Sequence, residues 1–190
     1  DNKLMVFDVT ANGLKTILQF MADLATAGAS GSQQGGFPQI GGLRFSFDPT
    51  KAAGARLVDA AVIDAHGNEV PLIDDGAVVG SAPPVISVVA LNFTANGGDS
   101  YPIKANASNF RYLLDDGTLS AAIDKSLDLT AAANVPVHAL GEQKAFSDYL
   151  AAVHDTPATA YGQADTPQTL DTRIENVKVR ADDVLTVAYQ

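Results

Sequence analysis

Asn92-Phe93-Thr94-Ala95-Asn96-Gly97-Gly98-Asp99-Ser100-Tyr101 is the stretch on which the reading of this chain turns. It follows an apolar, strand-like run, Val85 to Leu91, and breaks that run sharply. Two consecutive glycines permit backbone angles closed to other residues and leave no side chain in the way of an approaching ligand. Asn96 before them and Asp99 after them are turn formers. Bare amides, one carboxylate and two aromatic rings, Phe93 and Tyr101, therefore fall within a few residues of one another. A ring that stacks on a base, beside a carboxylate that accepts from sugar hydroxyls, suits a nucleoside. The same residues also fit a tight loop leaving a buried strand, with Phe93 in the core.

Outward from this stretch, Val85–Leu91 is apolar on both faces, which predicts a central strand. Near the start, Leu4 to Val9 reads as a strand, and Thr10 can cap a helix. Leu14, Ile17, Leu18, Met21 and Leu24 recur at helical spacing and predict a helix over Ala11–Leu24 with one face on a core. Ala27 to Gly36 is small, polar and glycine-rich, a loop composition. Phe37 follows between a glycine pair and Pro38, and Pro38 holds it extended. A ring so placed is either presented to a ligand or tucked into the core. Leu43, Phe45 and Phe47 alternate along a half-buried strand that ends at Asp48-Pro49. Leu57–Ile63 and Glu69–Ile73 predict a hairpin turning at Asp64–Asn68, with His66 at its tip. Asp74-Asp75-Gly76 is a second turn.

Beyond the glycines, Phe110–Leu114 reads as a short strand and Asp115–Thr118 as an acidic turn. Ser120–Leu127 is expected to be helical, and Ala131–Ala139 to be a small-residue linker. From Glu142 a helix follows, with Ala145, Phe146, Tyr149, Leu150 and Val153 as its apolar face. Thr172 to Arg180 alternates apolar and charged, as an edge or surface strand does. Val184 to Tyr189 is expected to add a last strand. The fold class is α+β: a layered, mixed, mostly antiparallel sheet with the two helices packed on it.

Composition narrows the function. The 190 residues allow one domain, or one with a small annex, and 46% apolar residues suffice for a core. A net charge of −10 argues against a nucleic-acid backbone as partner, while leaving open a single nucleotide, which needs only local charge. Without cysteine there is no disulfide and no thiolate metal site. No apolar run approaches the roughly 18 residues of a membrane helix, and no signal peptide is expected within the chain. The abrupt opening into a strand reads as an excised piece of a longer protein. His66, His138 and His154 form no HxH or HExxH pattern, and the acidic turns lack the ligand spacing of an EF-hand. No phosphate-binding or dinucleotide fingerprint occurs. The residues thus describe a ligand-facing surface, with no catalytic residues and no metal ligands.

Three pieces together resemble the C-terminal, substrate-binding domain of the 5'-nucleotidase family of metallophosphoesterases. Leu4-Met5-Val6-Phe7-Asp8-Val9-Thr10-Ala11-Asn12-Gly13-Leu14-Lys15 looks like the family's strand and "-G-x-x-L" helix. Gly36-Phe37-Pro38-Gln39-Ile40-Gly41-Gly42-Leu43-Arg44-Phe45-Ser46-Phe47-Asp48 is similar to its "F-x-Q-x-x-G-hydrophobic" segment. Asn92 to Tyr101 is similar to its "D-F-L-A-x-G-G-D-G-[YF]", with Asn92 in place of Asp and Ser100 in place of Gly. The resemblance implies that Phe37 and Phe93 sandwich a base, that Asp99 binds ribose hydroxyls, and that Gly97 and Gly98 keep the loop thin beside the sugar. It implies a single domain over 1–190, with 102–140 as a possible insertion. It further implies a nucleoside or nucleotide as substrate and an N-terminal metallophosphatase domain of the same protein, carrying two divalent metal ions, as partner. The location implied is periplasmic or extracellular, and this chain alone would be inactive. The alternative is a non-catalytic extracellular binding or structural module with no nucleotide ligand.

Overall fold

The structure, a computed structural model, describes residues 2–162 and 170–185. In chain order its elements are β1 (Leu4–Val9), α1 (Ala11–Ala29), β2 (Leu43–Phe47), β3 (Leu57–Ile63), β4 (Glu69–Asp74), β5 (Ala77–Val78) and β6 (Ile86–Leu91). There follow α2 (Asn92–Ala95), α3 (Ile103–Asn106), β7 (Ala107–Tyr112), α4 (Glu142–Val153) and β8 (Ile174–Asn176). Two compact units divide the chain: Asp1–Val9 with Ser87–Gln168, and Thr10–Ile86 with Thr169–Gln190. The mixed, mostly antiparallel α+β class expected from the sequence is the class observed.

The first unit is built on a three-stranded sheet in the order β6-β1-β7. β1 alternates strictly, so Met5, Phe7 and Val9 are buried. Phe7 meets Phe110 of antiparallel β7 at 5.3 Å between ring centroids. The central strand is therefore β1, and the Val85–Leu91 run is not central as expected: β6 is an edge, with Val89 55% exposed. Apolar residues on both faces say how a strand is covered above and below; they do not say how many neighbours it pairs with.

The expected helix over Ser120–Leu127 does not form. That segment runs extended along the free edge of β7: Ser120 N–H donates to Tyr112 O (2.9 Å) and Ile123 N–H to Phe110 O (2.8 Å). Asp124 takes the Ser126 N–H with its own carboxylate (2.8 Å), a local bond that competes with a helical turn. α4 forms as expected, but none of its residues is buried, and Phe146 (63%) and Tyr149 (53%) are largely exposed. Helical spacing made its apolar face legible, but that face is only partly covered: Ala145 and Leu150 are half-buried, and the His154 ring stands 5.4 Å from that of Tyr149.

The second unit is a five-stranded sheet in the order β5-β4-β3-β2-β8. Its pairs are antiparallel except β2–β8, and the β3–β4 hairpin is the one expected. α1 packs on β2, β3 and β5 through Leu14, Ile17, Leu18, Ala22 and Ala25. Thr10 caps it, its hydroxyl accepting from Gly13 N–H (3.1 Å). The helix runs on to Ala29, past the expected Leu24 and into what read as loop, because alanines carry it. The expected strand over Thr172–Arg180 shrinks to β8, a three-residue edge. Most of the strand expected over Val184–Tyr189 lies outside the described residues.

A charged cluster ties β8 and the residues after it to this sheet. Arg44 on β2 reaches Glu69 (2.5 Å), Glu175 (3.5 Å) and Asp183, while Arg180 reaches Glu175 (3.7 Å). The Glu175 side chain is fully buried. Burial first, then a hydrogen bond with the Asp183 carboxyl, pushes Glu175 up to about 7. Asp183 moves the other way, held down by that same bond and by Arg44.

Candidate functional site: a phenylalanine seated on the glycine turn

Phe93 rides on α2, a single helical turn that leaves β6 directly. Its ring is 41% exposed, so it is not the core residue that a tight-loop reading would make it. It is nevertheless seated. A Cβ built on Gly98 would lie 2.5 Å from the nearest of the ring's carbons, well inside van der Waals contact. Only glycine lets the ring lie flat over the turn. Gly97 has φ +101°, a conformation that residues with a side chain rarely adopt. Asp99 (φ +52°) and Ser100 (φ +65°) follow in the left-handed region, and both are exposed. Ser100 thus adopts the left-handed backbone that a glycine there would take without strain. Phe93, Gly97, Gly98 and Asp99 are brought together within this one turn.

Tyr101 is different. It is 7% exposed, and its hydroxyl is pushed up to about 12 by burial and by the neighbouring Asp99 charge. Of the two loop rings noted in the sequence, it is the neutral wall and Phe93 the exposed surface. Asn92 is buried beneath. Its amide donates to Leu129 O (3.1 Å) and its oxygen accepts from Lys3 N–H (2.9 Å). An aspartate at this position would lack the donor for Leu129.

Phe37 belongs to the other unit and is 38% exposed. Its neighbour Pro38 is buried, which anchors the loop while the ring stays outside. The ring leans on the last turns of α1: a Cβ on Gly28 would lie 3.2 Å from it. Arg173 donates to Ile40 O (3.1 Å) and so ties this loop to the residue before β8. The sequence showed neither Gly28 nor Arg173 as part of a ring seat, since each lies far along the chain or inside a helix.

Several residues around the glycine turn also escaped sequence reasoning. Asn96 donates to Asp128 (2.9 Å) and accepts from Lys104 (2.7 Å) and from Leu129 N–H (3.1 Å). The one local signal was Asp128-Leu129-Thr130, a turn in which Asp128 accepts from Thr130 N–H (2.9 Å). Among the described residues no group of three or more His, Asp or Glu is placed to hold a metal ion. No described helix is long and apolar enough to cross a membrane.

Among solved structures, the chain is similar to a 5'-nucleotidase precursor from Thermus thermophilus. The two share 25% identity at a TM-score of 0.53, over 92% of this chain and 25% of that one. This chain therefore spans about a quarter of that protein's length. The Haemophilus influenzae NAD nucleotidase (NadN) matches with 25% identity and a TM-score of 0.40, over 67% of this chain and 20% of that one. Comparison with curated proteins found no match. The family model for the 5'-nucleotidase C-terminal domain matches residues 1–106, more than half of the chain. The protein belongs to the family of 5'-nucleotidase C-terminal domains.

Proposed function

We propose that this chain holds the nucleoside part of a nucleotide for a 5'-nucleotidase-type phosphoric ester hydrolase. The base stacks on Phe93 and Asp99 accepts from the ribose hydroxyls; Phe37 is the second stacking ring that the family resemblance implies. Gly97 and Gly98 keep the turn thin enough for the sugar to approach. The observation that carries this reading is the Phe93 seat: a large apolar ring, exposed yet fixed over a glycine whose Cβ would displace it. A ring buried for stability would not be exposed, and an idle exposed ring would not need the glycine.

The hydrolytic step belongs to another domain of the parent protein, where two divalent metal ions would activate water and polarise the phosphate. The described residues here do not fit such a centre, so no step is assigned to them. The chain alone is expected to bind without hydrolysing. The parent would work in the periplasm or outside the cell, in keeping with the Thermus relative being a precursor.

Calorimetric titration with adenosine and uridine tests this reading. Stacking contributes about 1–3 kcal/mol per base, so the affinity should be weak, on the order of millimolar. Saturable binding that disappears in Phe93→Ala is the expected result. No binding by the folded protein would overturn the proposal in favour of a module without a nucleotide ligand.

A further inference from the structure

We infer that Leu127–Thr130 is a brace that sets the Phe93 ring, and that Asn96 and Lys104 are positioning residues for base stacking. The second half of this statement rests on the function proposed above; the first stands on geometry alone. α2 has only four residues, and one helical turn has little stability of its own. Something outside it must fix where it points.

Both ends of α2 are tied to the same short stretch. At its first residue, Asn92 donates to Leu129 O (3.1 Å). At its C-cap, Asn96 donates to Asp128 (2.9 Å) and accepts from Leu129 N–H (3.1 Å). Leu129 is buried between them, and its carbonyl also accepts from the Tyr112 hydroxyl on β7. Lys104 on α3 closes the arrangement: its ammonium donates to Asn96 (2.7 Å) and to Leu127 O (2.8 Å). Asp128 keeps its carboxylate charged, held down first by its bonds to Thr130 and then by Lys104.

The family match ends at residue 106, so the brace comes from chain that the family model does not match. Residues 107–130 leave α3, form β7, run back along its edge and return to α2. A segment that read as an insertion thereby reaches the ring seat. Without the brace, the C-terminal end of α2 would keep only buried Ala95, the backbone of the glycine turn and the Lys104 bond, and the ring would shift from Gly98.

The test compares Asn96→Ala, Asn96→Asp, and Asn96→Asp combined with Asp128→Asn, each read two ways. The Gly98 Hα that faces the Phe93 ring carries a ring-current shift, which reports the seat without any ligand. Adenosine affinity by calorimetry reports the use of that seat. Both single variants should lose the ring-current shift and weaken adenosine binding by about tenfold, the loss of one or two charge-assisted hydrogen bonds. The double variant restores an amide facing a carboxylate with the roles exchanged, and should regain both signals; a merely structural role would not be read at Gly98. A folded Asn96→Ala protein that keeps both signals would overturn the brace, as would a folded double variant that regains neither. Should Asn96→Ala fail to fold, Lys104→Met and the double variant decide by the same readouts. If the unaltered protein binds no adenosine, the nucleoside reading falls, and the Gly98 shift still decides the brace.

Discussion

Phe93 and Phe37 are exposed to nearly the same extent, 41% and 38%, and each lies against a glycine, yet their seats differ in kind. Phe93 covers Gly98 so closely that a Cβ would sit at 2.5 Å, whereas a Cβ on Gly28 would stand 3.2 Å from Phe37. At Gly98 one of the two must give way. At Gly28 a shift of a few tenths of an ångström suffices. Gly98 lies in a turn with left-handed residues on both sides, while Gly28 lies in α1, where alanine is the better residue. A glycine beneath a ring therefore fixes that ring only where the missing side chain cannot be accommodated.

The sharpest way to break this comparison is the same substitution at both glycines. Gly98→Ala should swing Phe93 away and weaken adenosine by about tenfold or more, the value of one lost stacking contact, with the melting temperature little changed. Gly28→Ala should alter affinity less than about twofold and raise stability by up to about 1 kcal/mol from helix propensity. Calorimetry beside thermal melts checks both, and equal effects at the two sites would erase the distinction.

Gly97→Ala acts on the turn itself, since φ +101° is strained for any residue with a Cβ. A loss of about 1–2 kcal/mol in urea unfolding is expected. A loss confined to stability, with the Phe93 ring signals intact, would show the seat to be independent of the turn's backbone.

pH should separate the two units as well. Glu175, in the unit that carries Phe37, is raised from 4.5 to about 7, so the folded state keeps a proton that the unfolded chain releases in that window. Its contribution to stability is full below about 4.5 and is lost as pH rises through 7. The urea midpoint of this unit should therefore fall across that range, and Glu175→Gln should flatten the profile. A profile in the unaltered protein that is already flat would contradict the burial argument. Ser100→Gly should have the smallest effect. Relief of the left-handed backbone, about 1 kcal/mol, is largely offset by glycine's greater freedom when unfolded, leaving a gain of a few tenths in urea unfolding.

What could be read from the sequence follows the range of the interaction. α1 and α4 show the same apolar spacing, and both are helices, because spacing three and four residues apart is local information. Only α1 is covered by a sheet, and coverage depends on residues far along the chain. The β3–β4 hairpin and the Asp75-Gly76 turn were legible for the same local reason. At the site, the thin glycine turn could be seen in Gly97-Gly98, and the exposed ring beside it was one of two open readings. The brace could not be seen. Asn96 meets Asp128 and Leu129 across 32 and 33 residues, through polar side chains that in sequence read as ordinary turn formers. The helix expected at Ser120–Leu127 failed because its backbone found partners on β7, a non-local outcome that no periodicity encodes.

The most direct measurement of the central claim is a set of intermolecular nuclear Overhauser contacts between adenosine and the rings of the isotope-labelled protein. Contacts from the adenine H2 and H8 protons to the Phe93 ring, with further contacts to Phe37, are the expected result. Saturable adenosine binding with contacts to neither ring would contradict it, and would move the nucleoside away from the glycine turn.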